Sequence, residues 1–500
     1  MFQKLQYIIG RDTFRSSLNY LVGLALTVFV ATLIYIKSVP SLKLALVIMG
    51  LGILVWVFMI FLPKSLPKAT FLMIVFFGSI STFVTPINDV PDEYVHFARS
   101  LYISEGDVNL TDKSEDLLVS EDVLKIDAAQ RALLFDERLE KQWHSDKEVE
   151  YPNLKGTNAY YSLSYFPQVF GLVLGRLFQL PLKQTYYLGR FFNLLIYAIT
   201  IYLAIILAGS FGQVIAVLGL LPMSIYLAGS YNQDGFALGL ILLIVSLFSR
   251  MTQVEKISNR LLFAYYILCS LIVVTKFPYL LLVGLPLFLP SRLFKGKFTL
   301  NLLNRGLGVL VIILLAGIWY KLYSQISSPY DADFLKQVDP AMQISSLLSN
   351  PIKYGGVLLR EMFDKLIKPD GIFQYGYLSY GTVNLFAAYA VYLTIVILNN
   401  SGKIQLTRKT QLGSIIVALG IAGANVLALY LSWTPVGALH VLGVQARYFI
   451  GLLPLLLLVA ISNKIFQSGR DMLNNRAILM IASLFLVTML LSTLFEYYPI

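Results

Sequence analysis

Cysteine is almost missing from this chain of 500 residues: Cys269 is the single one, and it lies within an apolar run. An intrachain disulfide and a thiolate metal site are therefore excluded. Charge is scarce too, at 13% of residues, where a soluble domain carries roughly 25%. With 57% hydrophobic residues, the composition excludes an ordinary soluble domain and reads as a polytopic membrane protein. No Walker lysine loop occurs and no GxGxxG run follows a strand, so no recognisable nucleotide site is encoded. The loops expected on the cytoplasmic side are too short to hold one. Any energy-rich substrate must then arrive through the lipid phase or from outside. Heptads, short repeats and low-complexity segments are also lacking, and no soluble domain is expected at either end. The opening MFQKLQYIIGRDTFRSS is too polar for the core of a signal peptide, so no cleavage is expected.

What is present is hydrophobic length. A membrane-crossing helix needs roughly 20 apolar residues. Segments near 18–36, 43–62, 69–86, 187–209, 212–229, 233–249, 261–275, 277–291, 306–324, 382–399, 411–432, 448–463 and 477–495 are read as spans. The expected fold is an all-α polytopic membrane protein with about thirteen transmembrane helices. The net charge of +11 would suggest nucleic acid in a soluble protein. Here the cations sit in short loops between apolar runs, the positive-inside pattern, and no nucleic-acid partner is expected. Lys4, Arg11 and Arg15 place the N-terminus inside. Further inner loops carry Lys64 and Lys68, then Arg250, Lys256 and Arg260, then Arg292, Lys295 and Lys297. Lys403, Arg408 and Lys409, and finally Lys464, Arg470 and Arg476, complete the set. Residues 160–178, YYSLSYFPQVFGLVLGRLF, are apolar enough to span, but counting them would turn Arg250 outward. They are read as a re-entrant or interfacial helix on the outer surface.

Two long external regions remain. The first, 87–158, holds 17 of the 28 acids. The second, 325–381, contains the amphipathic SSLLSNPIKYGGVLLREMFDKLI and the aromatic FQYGYLSYG. Its tyrosines suit a membrane interface or the face of a sugar.

The stretch TPINDVPDEYVHFARSLYISEGDV, Thr85 to Val108, crowds Asp89, Asp92, Glu93, His96 and Arg99 just beyond a predicted span. If Asp92 opens a helix, His96 and Arg99 share its face at i+4 and i+7. Acids crowded at a low-dielectric edge suit a general base. The alternatives are a capped helix start with a solvated acidic face, and a divalent metal site of two acids and a histidine. Other polar groups are expected on the same side. These are Arg190 with Asn193, Asn232 and Asp234 in GSYNQDGF, Lys276 and Tyr279 in VTKFPYLL, and His440, Gln445, Arg447 and Tyr448 in ALHVLGVQARYF. Charge at membrane depth is costly and marks function. Arg447, Arg190 and Lys276, gathered opposite acids, suit a lipid phosphate.

These motifs resemble the GT-C superfamily of polyprenyl-phosphate-dependent glycosyltransferases. More closely, they resemble a bacterial branch of multipass membrane proteins catalogued as a domain of unknown function. PDEYVHFARSLYISEG follows that branch's PxDExxHF pattern from Pro91 to Gly106, and LGRFFN, SYNQDGFAL and GVQARYF follow in its order. Val90 stands where the branch has a small residue, and two extra spans come first. The resemblance implies a GT-C-like catalytic module over 69–463, preceded by two helices in 1–68 and followed by one in 464–500. It implies an external active site whose catalytic acid is Asp92 or Glu93, with Asp89 a weaker candidate and His96 orienting the base or an ion. Arg447, Arg190 and Lys276, with Tyr448, Gln445, Asn232 and Asp234, would then hold the lipid phosphate and sugar. The expected activity is inverting transfer of a sugar from a polyprenyl-phosphate donor to a cell-envelope glycan, outside a bacterial plasma membrane, with a divalent ion as possible cofactor. A flippase of lipid-linked sugars, and a polymerase or ligase of them, are the alternatives. The nearly charge-free span interiors weigh against a path through the bilayer.

Overall fold

The computed structural model describes residues 11–37, 40–139, 142–294, 298–323, 335–369, 371–463 and 473–498. Lys4, Lys295, Lys297, Lys464, Arg470 and part of the second external region (325–334 and 370) lie outside the described residues. Three helices come first, α1 (Arg11–Tyr35), α2 (Leu42–Ile60) and α3 (Leu66–Val84). The first long connection holds α4 (Glu93–Ser104), strand β1 (Leu118–Ser120), α5 (Asp122–Ala128) and strand β2 (Glu148–Glu150), which pairs antiparallel with β1. Then follow α6 (Phe166–Leu177), α7 (Leu182–Leu207), α8 (Gly212–Gly219), α9 (Pro222–Ala228), α10 (Gln233–Gln253) and α11 (Asn259–Thr275). A 3₁₀ segment, Phe277–Phe288, precedes α12 (Phe298–Tyr323). The second long connection holds α13 (Pro340–Ser349), α14 (Pro351–Ile367) and the hairpin of β3 (Gln374–Tyr375) with β4 (Tyr380–Gly381). The last helices are α15 (Leu385–Asn400), α16 (Arg408–Ser432), α17 (Leu453–Ile461) and α18 (Asn475–Tyr497).

The chain is a mostly helical, multi-pass membrane protein. Short polar residues start its helices where the chain turns. Ser41, Ser258, Thr407 and Asn474 each accept a hydrogen bond from a first-turn N–H, at α2, α11, α16 and α18. Each satisfies a backbone donor that the helix itself leaves open.

The count of thirteen spans is not reached. Among the described residues, eight helices are long and apolar enough to cross: α1, α2, α3, α7, α10, α12, α16 and α18. A ninth is possible if Gly209–Gly219 and Pro222–Ala228 form one span, bent by 72°. Proline explains part of the shortfall, because it lacks the N–H that an α-helix needs, while Asn259–Thr275 and Leu385–Asn400 are apolar helices that stop at 17 and 16 residues. Pro222 starts α9 at the bend, and Pro286 lies inside the 3₁₀ segment. The end of this segment is held from α12, where Arg305 Nη1 donates to Pro286 O at 3.0 Å and to Leu289 O at 3.2 Å.

α10 and α18 have 78% and 83% of their apolar windows buried, so they form the centre of the bundle, while α1, α2 and α12 lie at its edge. Glycine lets α6 and α7 touch. A Cβ on Gly171 would lie 2.6 Å from Gly189 Cα, and one on Gly175 would lie 2.5 Å from Thr185. Such small-residue contacts are a common device of membrane helices. The pairing makes α6 antiparallel to α7. It packs along the first half of a candidate span.

Candidate functional site

Between α3 and α4 the chain turns twice through left-handed backbone, at Asn88 (φ 54°) and Asp92 (φ 63°). Short polar side chains tolerate this conformation better than others. Asp92 thus stands before α4, and its carboxylate makes no capping bond. Its N–H donates to Tyr377 Oη at 3.1 Å, and its side chain is 51% exposed. The expected shared face is therefore split. His96 and Arg99 are buried, while the Asp92 side chain is half exposed and turned toward Arg447.

Glu93 and Arg190 are fully buried and meet in a two-pronged pair. Arg190 Nε donates to Oε1 at 2.8 Å and Nη2 to Oε2 at 2.7 Å. The remaining valences are filled as well. Arg190 also donates to the carbonyls of Thr82, Thr85 and Pro86, and Glu93 Oε1 accepts from Tyr231 N at 2.9 Å. This pair revises the expectation that Glu93 serves as a base and Arg190 as a phosphate ligand. Neither group presents an atom to a substrate. The pair instead ties α7 and α4 to the end of α3.

Asp89 is likewise engaged. Its carboxylate accepts from Tyr226 and Tyr380 at 2.8 Å each and from Tyr497 at 2.5 Å. Tyr226 Oη in turn accepts from Gly376 N at 2.9 Å. One carboxylate thereby joins α9, the β3–β4 hairpin and α18.

A second charged cluster gathers from three distant parts of the chain. Asn232 caps α10 by accepting from Asp234 N at 2.7 Å, and Asp234 Oδ1 accepts from Lys276 Nζ at 2.5 Å. Tyr279 Oη donates to Tyr448 O at 2.9 Å, and the Tyr448 ring stands 5.3 Å from Lys276 Nζ. Asn193 Nδ2 supports this turn through Ser230 O at 2.9 Å. Arg447 is 6% exposed, and its Nε has no hydrogen-bond partner among the described residues. Its Nη2 lies 3.9 Å from Asp92 Oδ2, close enough to attract and too far to bond. His96 is held by Tyr165, with 2.9 Å between Nδ1 and Oη. Burial pulls its imidazole down to about 4, against the opposing pull of Asp92 and Asp234, so it is neutral near pH 7.

Arg447 and Gln445 line a small cleft of roughly 60 Å³ with Pro91, Tyr226, Gln374 and Gly376. Asp92 stands at its rim beside Pro91. His440 is exposed and joins neither cluster. Among the described residues no three His, Cys, Asp or Glu side chains are grouped to hold a metal ion. Asp89 is taken up by phenols and Glu93 by a guanidinium, so neither carboxylate has an oxygen free for a divalent ion. Sequence reasoning missed Tyr226 and Tyr497, whereas Tyr377 and Tyr380 fall in the aromatic FQYGYLSYG run, whose Gln374, Gly376 and Leu378 line the cleft.

No curated protein matches the chain. The model of a family described as predicted membrane protein (DUF2142) matches residues 75–456, and the chain belongs to that family.

Proposed function

We propose that the protein is an inverting glycosyltransferase of GT-C type, moving a sugar from a polyprenyl-phosphate donor to a cell-envelope glycan. The site would face outward from a bacterial plasma membrane, where the donor's tail stays in lipid and its sugar meets a water-borne acceptor. The observation that carries this reading is the contrast among the acids. Glu93 and Asp89 are buried with both oxygens bonded and Asp234 is buried against Lys276, whereas Asp92, next to the cleft residue Pro91, is half exposed and faces a partly unpaired arginine.

In the reaction, Asp92 takes the proton of an acceptor hydroxyl. The oxygen attacks the anomeric carbon from the face opposite the phosphate, and the bond from that carbon to the phosphate oxygen breaks. The electron pair leaves with the lipid phosphate, whose growing charge Arg447 stabilises. One such positioned donor is commonly worth a few kcal/mol. For base and cation to act on opposite sides of the reacting carbon, the donor must part Asp92 Oδ2 from Arg447 Nη2, which stand 3.9 Å apart without it. Lys276 is already neutralised by Asp234 and acts through Tyr448, holding the Arg447 turn in place.

The test is a sugar-composition and linkage analysis of the cell envelope in the parent strain, a deletion strain, and a strain with Asp92→Asn at normal protein level. Loss of the same sugar in deletion and variant supports the reading. Loss in the deletion alone would assign the protein to the pathway without Asp92, and transport would become the better account.

A further inference from the structure

The first long connection does not hang free above the bundle. Lys183 Nζ donates to Asp136 O at 3.0 Å, Leu182 N donates to Gln142 O at 3.0 Å, and His144 Nε2 lies 3.0 Å from Thr185 Oγ1. All three contacts fall in the first turn of α7. The residues around positions 135 and 143 therefore form a collar at the end of a candidate span. At about 1.5 Å per residue the 26 residues of α7 extend about 39 Å. That exceeds the roughly 30 Å of hydrocarbon and nearly reaches through both headgroup layers. The collar thus lies at headgroup depth.

Its side chains suit that depth. Phe135 is 80% exposed and Trp143 is 60% exposed. Beside them, at the α6–α7 turn, Leu177 and Phe178 are exposed, and Phe166, Phe170 and Val173 continue the same exposed stripe down α6. α6 packs directly on α7, a candidate span that exposes Ile199, Leu203 and Ile206 of its own. Large aromatics at such a boundary favour the lipid interface over water.

We infer that the collar is a membrane anchor: Phe135 and Trp143 insert among the headgroups of the adjoining leaflet and hold the 87–158 region down on the bilayer. The occupant is lipid, because the patch extends a surface that already faces lipid. This inference does not depend on the glycosyltransferase reading.

The test uses the full chain in liposomes, with Trp56, Trp319 and Trp433 changed to Phe so that Trp143 is the only emitter. The expected result is blue-shifted emission, most of it lost with lipids brominated near the glycerol and little lost with aqueous iodide. Quenching by iodide with no effect of bromolipid overturns the anchor. Protection from both also overturns it, since the patch would then be covered by protein. If that variant fails to fold, a spin label on Phe135→Cys gives a second measurement, since Cys269 is buried. Its relaxation should respond more strongly to oxygen than to a water-soluble nickel chelate. The reverse order contradicts the inference.

Discussion

Two adjacent acids, Asp92 and Glu93, have opposite fates at this site. The difference comes from one left-handed residue: the φ of 63° at Asp92 turns its side chain out while Glu93 enters the helix and is buried. Sequence placed both on the same short list and could not separate them. The partner of Glu93, Arg190, lies 97 residues away, and no local pattern announces such a pairing. His96 was legible as a site residue, but its buried, neutral state was not. That state gives a pH signature. The folded histidine binds its proton only near pH 4, whereas an unfolded one does so near 6.5. The unfolded chain therefore gains protons first, and stability is lost as pH falls from about 6.5 towards 4. The full effect is about 3 kcal/mol. Thermal unfolding in detergent across that window should show this slope in the parent and a flatter one in His96→Gln. Equal slopes would mean that another group governs the acid transition.

At the level of elements, the site depends on how closely its helices approach. Gly171 sits against the backbone of Gly189, with no room for a methyl group. Gly171→Ala should push α6 off α7 and destabilise the protein by about 1–3 kcal/mol, the usual cost of overpacking. Gly50→Ala in α2 is the control, since nothing lies within 4 Å of its added carbon. A similar loss in both would place the effect in the glycine itself and not in the crossing. The long apolar runs predicted their helices well, because that signal is local. The count of thirteen is not confirmed: Pro222 and Pro286 bend or break two of the runs, and others, such as Asn259–Thr275 and Leu385–Asn400, form helices of only 17 and 16 residues. The tyrosine clamp on Asp89 was invisible for a different reason. Its members come from α9, β4 and α18, which only the folded bundle brings together.

Across the whole molecule, the candidate site sits at one end and a lysine-rich set of turns at the other. Tyr497, at the end of α18, reaches Asp89 although α18 lies beyond the 75–456 region that the family shares. The last helix thus completes the wall of a site built by the rest of the chain. Charge distribution predicts the lysine-rich end to be cytoplasmic. A membrane-impermeant maleimide on intact cells should label Glu150→Cys and His440→Cys and leave Lys64→Cys and Lys403→Cys unlabelled until the cells are opened. The opposite pattern would turn the site inward and remove the case for an external acceptor. The most direct trial of the account compares Asp92→Asn with Glu93→Gln, reading melting temperature and envelope sugar incorporation together. Asp92→Asn is expected to fold with an unchanged melting temperature and lose about 10²–10⁴-fold in transfer, the usual share of a general base. Glu93→Gln strands a buried guanidinium and is expected to lose about 3–5 kcal/mol of stability. An Asp92→Asn protein that still builds the glycan at the parental rate would contradict the assignment of Asp92 as the base.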